Sequence, residues 1–286
     1  MSRLNINKTY KLYIGGKFPR TESGRYYAVT DKKDNLIANM CLASRKDFRN
    51  AVVEARKAQS PWANTTALNK GQVLYRIAEM LEGRKEQFIA ELISQGESAK
   101  NAEQEVDLAI DRLVYYAGWS DKYQQFFSTV NPVASSHFNF STVEAVGVVS
   151  IIAPENQSLL GLISVIAPAI VGGNTVIVLA SENKPLCAIS LAEVINSSDV
   201  PSGVVNILTG KKEELYSHMA SHMDVNTIIY CGNDEKLIQS ISELASNNIK
   251  RTVFYQKENW LDAQYESPYI IERTLELKTT WHPTEI

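Results

Sequence analysis

The chain has 286 residues, 44% of them hydrophobic and 21% charged, so it can bury a sizeable core as one large domain or two modest ones. Its 29 Lys and Arg against 32 Asp and Glu give a formal net charge of -3. That balance argues against nucleic acid as a partner, because binding phosphates requires concentrated positive charge.

The cysteines and the apolar segments indicate a cytoplasmic protein. Cys41, Cys187 and Cys231 are far apart in the chain, which predicts free thiols rather than a disulfide framework. The N-terminal residues contain no apolar h-region, so no secretory signal is predicted. The longest apolar stretch, 159–171, is too short to span a bilayer, and no membrane partner is expected.

The first 127 residues are predicted to be mostly helical. Residues 10–18, YKLYIGGKF, form a short hairpin that turns at its two glycines. Apolar residues then recur with the helical period, which predicts amphipathic helices. These predicted helices cover 47–59, 68–94 with a break near Gly83, and 103–127.

The pattern changes to alternating strands and helices after residue 136. Residues 137–154 are rich in β-branched and aromatic side chains, which predicts two strands. Later strands are separated by helix-length segments, and this alternation predicts a parallel, doubly wound α/β sheet. The later strands are 174–180, 203–209, 225–231 and 250–256, and the helices are 157–171, 185–196, 212–221 and 234–247.

An isolated strand is predicted near the C-terminus, in the sequence LELKTTW at 275–281. One face of this strand carries Leu275, Leu277, Thr279 and Trp281. Residues 257–270 before it are polar and predicted to be irregular, and when fully extended they could reach roughly 50 Å. A strand with an apolar face needs a sheet to join, and an uncovered edge favours aggregation unless a partner covers it.

Several segments resemble the aldehyde dehydrogenase superfamily. In chain order they are YIGGKF, YYAGWSDK, EAVGVVSIIAP, APENQS, IAPAIVGGNTVIV, LASENKP, DVPSGVVNILTG and YCGNDEKL. The resemblance implies a Rossmann-like cofactor-binding domain with a helical N-terminal part, built from 1–131 and 150–256. It also implies a small β oligomerisation arm, built from 132–149 and 270–286. In this superfamily a catalytic domain precedes the terminal strand, so the segment 257–269 is expected to be a linker that replaces it.

The resemblance assigns two positions of the catalytic centre. Asn156 matches the oxyanion Asn of the superfamily, with Glu155 in place of a Trp, and its alternative role is to cap the helix predicted at 157–171. Tyr255 stands where the superfamily has its general-base Glu, and a phenol with an ordinary pKa near ~10 is a poor base at neutral pH. The nucleophilic Cys belongs to the domain expected to be missing. We therefore expect the chain not to be an enzyme.

The cofactor positions are only partly kept. Glu182 matches the acid that hydrogen-bonds the adenosine ribose, and Gly232 matches a glycine of the phosphate-side turn. Leu179 replaces a Lys, and Asp234 adds negative charge at a helix N-terminus where it would repel a pyrophosphate. Binding of NAD or NADP is therefore expected to be weak or lost.

A metal site is not predicted. His218 and His222 are four residues apart on a predicted helix, the spacing at which two imidazoles can share a metal ion. No further ligand follows them in a recognisable pattern. They are interpreted as solvated surface histidines.

Three functions remain open from the sequence. The first is a non-catalytic subunit that associates with a full-length aldehyde dehydrogenase through the arm. The second is a self-associating structural homo-oligomer. The third is a residual oxidoreductase-related enzyme or sensor that binds NAD or NADP at Glu182 and Gly232. For the first two, the expected contact residues are Leu275, Leu277, Lys278, Thr279 and Trp281.

Overall fold

A computed structural model describes residues 8–284 of the chain. Its N-terminal part contains a small sheet in which β1 (Thr9–Tyr10) pairs with β3 (Leu36–Cys41), and β3 pairs with β2 (Tyr26–Thr30). The predicted hairpin turn is present, since Ile14 and Lys17 exchange two backbone hydrogen bonds of 3.0 and 3.1 Å. The two glycines between them have φ values of 58° and 74°, which L-residues with side chains rarely adopt.

The helical N-terminal half is confirmed, and the break predicted near Gly83 separates two helices. The segment predicted as a single helix over 103–127 is also divided, because one helix ends at Trp119 and the next begins at Tyr123. A capping box starts the first helix: the Ser44 hydroxyl accepts from two backbone N–H groups, and the Asp47 carboxylate accepts from the N–H of Ser44. The helices are α1 (Arg45–Ala63), α2 (Ala67–Glu82), α3 (Lys85–Ser94), α4 (Ala99–Trp119) and α5 (Tyr123–Phe127).

The second half of the chain alternates between strands and helices. Its strands are β4 (Thr129–Asn131), β5 (His137–Ala145), β6 (Val148–Ile152), β7 (Thr175–Leu179), β8 (Val205–Leu208), β9 (Thr227–Cys231), β10 (Arg251–Tyr255) and β11 (Leu275–Pro283). Its helices are α6 (Leu160–Val171), α7 (Leu186–Asn196), α8 (Lys212–Ser221), α9 (Glu235–Ser246) and α10 (Pro268–Glu272).

A five-stranded parallel sheet with the order β10-β9-β6-β7-β8 forms the centre of the protein. Every residue of β6, β7, β8 and β9 is buried, as expected for a parallel sheet covered by helices on both faces. The predicted α/β, doubly wound fold is therefore confirmed. Within residues 8–284, no helix combines the length and apolar character needed to cross a membrane.

The terminal strand finds its sheet within its own chain. β11 pairs antiparallel with β5 over nine positions, from Leu275 opposite Ala145 to Pro283 opposite His137, and β5 pairs in turn with β4. We call this three-stranded sheet the β arm. The chain passes from the β arm to the central sheet at Gly147, which has a φ of 126°.

The segment before β11 is folded onto the core, in contrast to the irregular, extended form predicted from its polarity. Trp260 is only 1% exposed, and its ring centroid lies 4.8 Å from that of Tyr265. The buried Arg112 side chain donates to the Trp260 carbonyl at 3.2 Å, and the Tyr116 hydroxyl donates to the Tyr265 carbonyl at 2.9 Å. Burial of aromatic surface and these long-range hydrogen bonds outweigh the local polarity of the segment.

Trp260→Ala should lower the free energy of unfolding by about 3–5 kcal/mol, the usual effect of removing a fully buried aromatic side chain. Urea unfolding followed by circular dichroism measures this change. Trp281→Ala is the matched control, because that tryptophan is more than half exposed, and it should change stability by less than about 1 kcal/mol. Equal losses in the two variants would contradict the anchoring role of Trp260.

Candidate functional site

A cleft with a volume of about 490 Å³ lies at the carboxyl ends of β6, β9 and β10. In doubly wound sheets this is the edge at which ligands bind, because helix N-termini converge there with free N–H groups. The cleft is lined by residues 152–156 and 230–234 and by Lys212, Tyr255, Lys257, Glu258 and Trp260. It therefore brings together Asn156, Gly232 and Tyr255, three positions singled out in the sequence.

Asn156 lines the cleft but does not cap the following helix, so the capping interpretation is wrong. α6 begins at Leu160. Its N-cap residue, Leu159, forms no side-chain hydrogen bond that caps the helix. The N–H groups of Leu159 and Leu160 instead donate to Glu105 of α4, at 2.8 and 3.4 Å. Glu105 is buried, and this burial raises the pKa of its carboxyl although the two N–H groups lower it.

Tyr255 lies in the cleft wall as a buried phenol. Its hydroxyl has no hydrogen-bond partner among the residues that the structure describes, and its ring centroid lies 5.5 Å from that of Trp260. Burial raises the pKa of Tyr255 well above its ordinary value, so the phenol is protonated at neutral pH. At this position the phenol is a poor proton acceptor, and its buried hydroxyl is not accessible from the cleft.

Glu182 is already engaged by the protein. Its carboxylate accepts from the backbone N–H of Lys212, the first residue of α8, and lies 3.4 Å from the ammonium of Lys211. A ribose hydroxyl would therefore bind a carboxylate that already holds the start of α8, through its remaining acceptor capacity.

Glu155, where the superfamily pattern has a Trp, binds the turn that contains Glu182. Its carboxylate accepts from the Ser181 hydroxyl at 2.6 Å and from the backbone N–H groups of Glu182 and Asn183 at 3.3 and 3.2 Å. Ser181, Glu182 and Asn183 are thereby joined to the end of β6. The side chain that replaces the Trp thus forms part of the cleft wall.

The phosphate-side turn is closed by local hydrogen bonds. The Asp234 carboxylate accepts from the N–H groups of Lys236 and Leu237 at 3.0 and 3.2 Å, which caps α9. The N–H of Gly232 donates to the carbonyl of Tyr255 at 3.0 Å. The N-termini of α6, α8 and α9 thus each bind a carboxylate of the protein itself. The pyrophosphate of a dinucleotide would have to compete with these carboxylates for the same N–H groups.

The sequence did not point to Glu155 and Trp260 as cleft-lining residues, or to Glu105 as the group that binds the start of α6. Glu105 lies on an amphipathic helix and acts on a residue 54 positions away, so local periodicity carries no signal for it. Trp260 could have been noticed as a large aromatic residue in a polar stretch. Glu155 was noticed only because it replaces a Trp of the superfamily pattern. Its hydrogen bonds join residues 181–183 at another strand–helix junction, which no local pattern predicts.

The five predicted arm residues divide between the core and the surface. Leu275 is buried in the hydrophobic core of its own chain, at the base of the strand and against Gly172, so little of its side chain is open to another subunit. Thr279 shares a 2.8 Å hydrogen bond with Ser141 of β5. Leu277, Lys278 and Trp281 are exposed.

Comparison with known proteins gives one consistent family. The model of the aldehyde dehydrogenase family matches residues 18–256. The cytosolic aldehyde dehydrogenase 1 of Elephantulus edwardii is 34% identical over 260 residues, which are 88% of this chain and 50% of that protein. An aldehyde dehydrogenase of Alternaria alternata is 30% identical and is matched over 95% of this chain and 53% of its own length. The chain thus spans about half the length of the curated relatives that it matches.

Solved structures show the same fold. PnpE from Pseudomonas sp. WBC-3 superimposes with a TM-score of 0.81 at 26% identity, over 86% of this chain and 50% of that chain. A betaine aldehyde dehydrogenase from Staphylococcus aureus, solved in complex with NAD+, has a TM-score of 0.81 at 23% identity, over 85% of this chain and 49% of that chain. At that identity the second comparison supports the fold alone.

The prediction that this chain is not an enzyme is contradicted by these comparisons. The two relatives described above are named as aldehyde dehydrogenases, which are enzymes, and this chain spans about half of each. Asn156 and Tyr255 line the cleft of this chain, and by themselves they do not decide whether the protein is catalytic.

Glu105→Gln tests the buried carboxylate at the start of α6. Because burial raises the pKa of Glu105 above its ordinary value of 4.5, the stabilisation from its protonated form is complete below that pH and is lost as the pH rises through the raised pKa. The amide oxygen of Gln still accepts the N–H groups and does not titrate. Relative to wild type, the variant should therefore gain free energy of unfolding from about pH 4.5 to pH 7.

Urea unfolding at a series of pH values measures the difference. Glu103→Gln, at an exposed position on the same helix, is the matched control and should show no such trend. A difference between wild type and Glu105→Gln that does not change with pH would contradict the raised pKa.

Proposed function

This chain belongs to the aldehyde dehydrogenase family, and we propose that it is a subunit that joins a full-length aldehyde dehydrogenase through its β arm. The observation that carries the proposal is the free outer edge of β11. One side of β11 pairs with β5 along nine positions, and among residues 8–284 no strand pairs with its other side. Such an edge can add a strand of another chain by backbone hydrogen bonds.

The side chains of β11 favour a specific protein partner. Leu277 is 60% exposed and Trp281 is 57% exposed, and both lie on the same face of the strand. Covering two large apolar side chains stabilises a complex by about 1.5–3 kcal/mol each when burial is complete. Lys278, which points to the other face and lies 3.0 Å from Glu276, adds a polar contact that can help select the register.

Side-chain hydrogen bonds across the β arm preorganise this edge. The Asn131 amide donates to Asn139 at 2.5 Å and to the Ser141 hydroxyl at 2.9 Å, and Ser141 shares its hydrogen bond with Thr279. These bonds connect all three strands in one register. The β arm is therefore already ordered before a partner strand binds, so it loses less conformational entropy on binding.

Self-association uses the same edge and is the second outcome considered for the arm. Two β11 strands related by a two-fold axis would pair antiparallel and bring each Trp281 towards the partner's β11 strand. Native mass spectrometry separates the two arrangements. A mixed complex with an aldehyde dehydrogenase supports the first, and a homodimer that persists in its presence supports the second.

Leu277→Lys/Trp281→Lys should weaken the complex at least about tenfold, because two exposed apolar contacts become charged. Native mass spectrometry with an added full-length aldehyde dehydrogenase from the same host measures the bound fraction as a function of concentration. Leu68→Lys on α2 is the matched control, since Leu68 is 68% exposed and lies outside the β arm. A double variant that binds as well as wild type would contradict the role of the β arm.

A weak dinucleotide site in the cleft is a second candidate function. The volume and position of the cleft support it, and the carboxylates on the three helix N-termini limit its affinity for NAD or NADP. Asp234 is the carboxylate closest in sequence to the phosphate-side glycine, Gly232. Its charge opposes that of a pyrophosphate placed at the start of α9.

Asp234→Asn should tighten NAD binding about two- to fivefold, because Asn caps a helix as well as Asp does and lacks the charge. Isothermal titration calorimetry with NAD and with NADP measures both affinities. Glu243→Gln, near the other end of α9, removes one charge without touching the cleft and serves as the control. Absence of heat for both proteins at about millimolar cofactor would rule out a dinucleotide site of this strength.

The proposed compartment is the cytoplasm. Cys41, Cys187 and Cys231 are all buried free thiols, as expected where the surroundings are reducing. One of the relatives is itself named cytosolic. Both observations support this location for the proposed assembly.

A further inference from the structure

A second concave surface lies between the start of α1 and the end of α8, far along the sheet from the cleft. It has a volume of about 300 Å³. Residues 222–226 precede β9 and residues 247–250 precede β10, so this surface lies at the amino ends of the strands, whereas the cleft lies at their carboxyl ends. We call it the basic groove, and its lining includes Arg45, Phe48, Arg49, His218, His222 and Met223.

The arginines of the basic groove are not neutralised by the protein. Arg45 and Arg49 are one helical turn apart on α1, and neither forms an ion pair with any residue between 8 and 284. No Asp or Glu lines the groove. By contrast, the neighbouring Lys46 and Lys57 of the same helix are paired with Glu22 and Glu54. Within residues 8–284 the two arginines thus line one cavity without a carboxylate to balance them.

His222 is oriented as a hydrogen-bond donor. The backbone N–H of Asp224 donates to its Nδ1 at 3.2 Å, so the neutral ring carries its proton on Nε2. Its ring packs edge-on against Phe48, with the centroids 5.8 Å apart. His218 lies four residues before His222, which is one helical turn earlier on the same side of α8.

The two histidines lie in surroundings that are mainly cationic. Burial lowers the pKa of His218 and His222, and Arg45 lowers both further. Lys250 and Arg56 also lower the pKa of His222, and Asp224 alone among its charged neighbours raises it. A bound anion would reverse this balance and favour the protonated rings.

One strongly exposed apolar side chain, Met223, lines the basic groove, and a second, Ile249, lies in a loop that is hydrogen-bonded to the groove's lining. Met223 is 73% exposed and Ile249 is 97% exposed. Their loops are joined, since Lys250 Nζ donates to the His222 and Val225 carbonyls at 2.7 Å each. Ile249 also has a φ of 56°, a conformation that is an outlier for a β-branched residue and is normally taken by glycine at this position after a helix.

We propose that the basic groove binds the phosphate group of a phosphorylated ligand whose apolar part contacts Met223 and Ile249. Arg45 and Arg49 supply planar pairs of N–H donors that match phosphate oxygens, and His222 supplies a third donor. A phosphate group fits this groove better than a carboxylate does, because four cationic or potentially cationic side chains line the same cavity. The proposal is independent of the β arm and of the cleft.

Inorganic phosphate, titrated into the full chain by isothermal titration calorimetry, is the first probe. Arg45→Ala/Arg49→Ala should weaken binding at least about tenfold, because each removes a charge-assisted contact. Arg76→Ala, an exposed arginine of α2, is the matched control and should leave binding unchanged. No binding to wild type at about 10 mM phosphate, or equal binding by the double variant, would overturn the proposal.

The histidines give a second, independent readout. Sulfate does not titrate near neutral pH, so any pH dependence of its binding belongs to the protein. Lower pH protonates His218 and His222 and adds positive charge, so sulfate should bind more tightly at about pH 6 than at about pH 7.5. His218→Gln/His222→Gln should abolish that difference, and a double variant with the wild-type pH dependence would overturn the role of the two rings.

Vesicles distinguish a lipid headgroup from a free phosphorylated molecule. Sedimentation with phosphatidic acid vesicles, but not with phosphatidylcholine vesicles, and its loss in Met223→Ser/Ile249→Ser would support a lipid source. Binding of inorganic phosphate without sedimentation would support a free ligand. Sedimentation that persists in Arg45→Ala/Arg49→Ala would contradict the phosphate site as the cause.

Discussion

The burial of Trp260 is the contact on which the arrangement of this protein depends. Its ring packs against Tyr255 at the end of the central sheet and against Tyr265, while Arg112 binds its carbonyl from α4. This contact closes one side of the cleft and directs the following residues back across the core. β11 can therefore begin at Leu275, beside Ala145, and complete the β arm after a connection of only 19 residues from β10.

Around the cleft, the protein supplies its own anions to the helix N-termini. Glu105 binds the start of α6, Glu182 the start of α8 and Asp234 the start of α9. Helix N-termini attract negative charge through their free N–H groups and their dipoles, and a carboxylate of the same chain satisfies both without a ligand. The edge of the sheet that binds ligands in doubly wound folds is here stabilised from within, and a phosphate must compete with these carboxylates.

The two ends of the central sheet consequently have opposite electrostatic character. The carboxyl ends of the strands carry Glu155, Asp234 and Glu258 in the cleft, partly balanced by Lys212 and Lys257. The amino ends adjoin the basic groove, whose arginines lack internal partners among the described residues. The net charge of -3 averages these two regions and conceals both. An unbalanced local charge is a better indication of a binding surface than the overall charge is.

The sequence by itself determined the features that depend on neighbouring residues. The parallel sheet, the helical first half and the strand at Leu275 follow from hydrophobic period and turn chemistry, because those patterns repeat within a few residues. The tertiary structure decided which distant groups meet. In the tertiary structure Glu105, and not Asn156, binds the N–H groups at the start of α6. Leu275 lies in the core, and Trp260 of the polar segment after β10 is buried. Each of these contacts joins residues dozens of positions apart, and its free energy depends on burial and hydrogen-bond geometry that no local pattern contains.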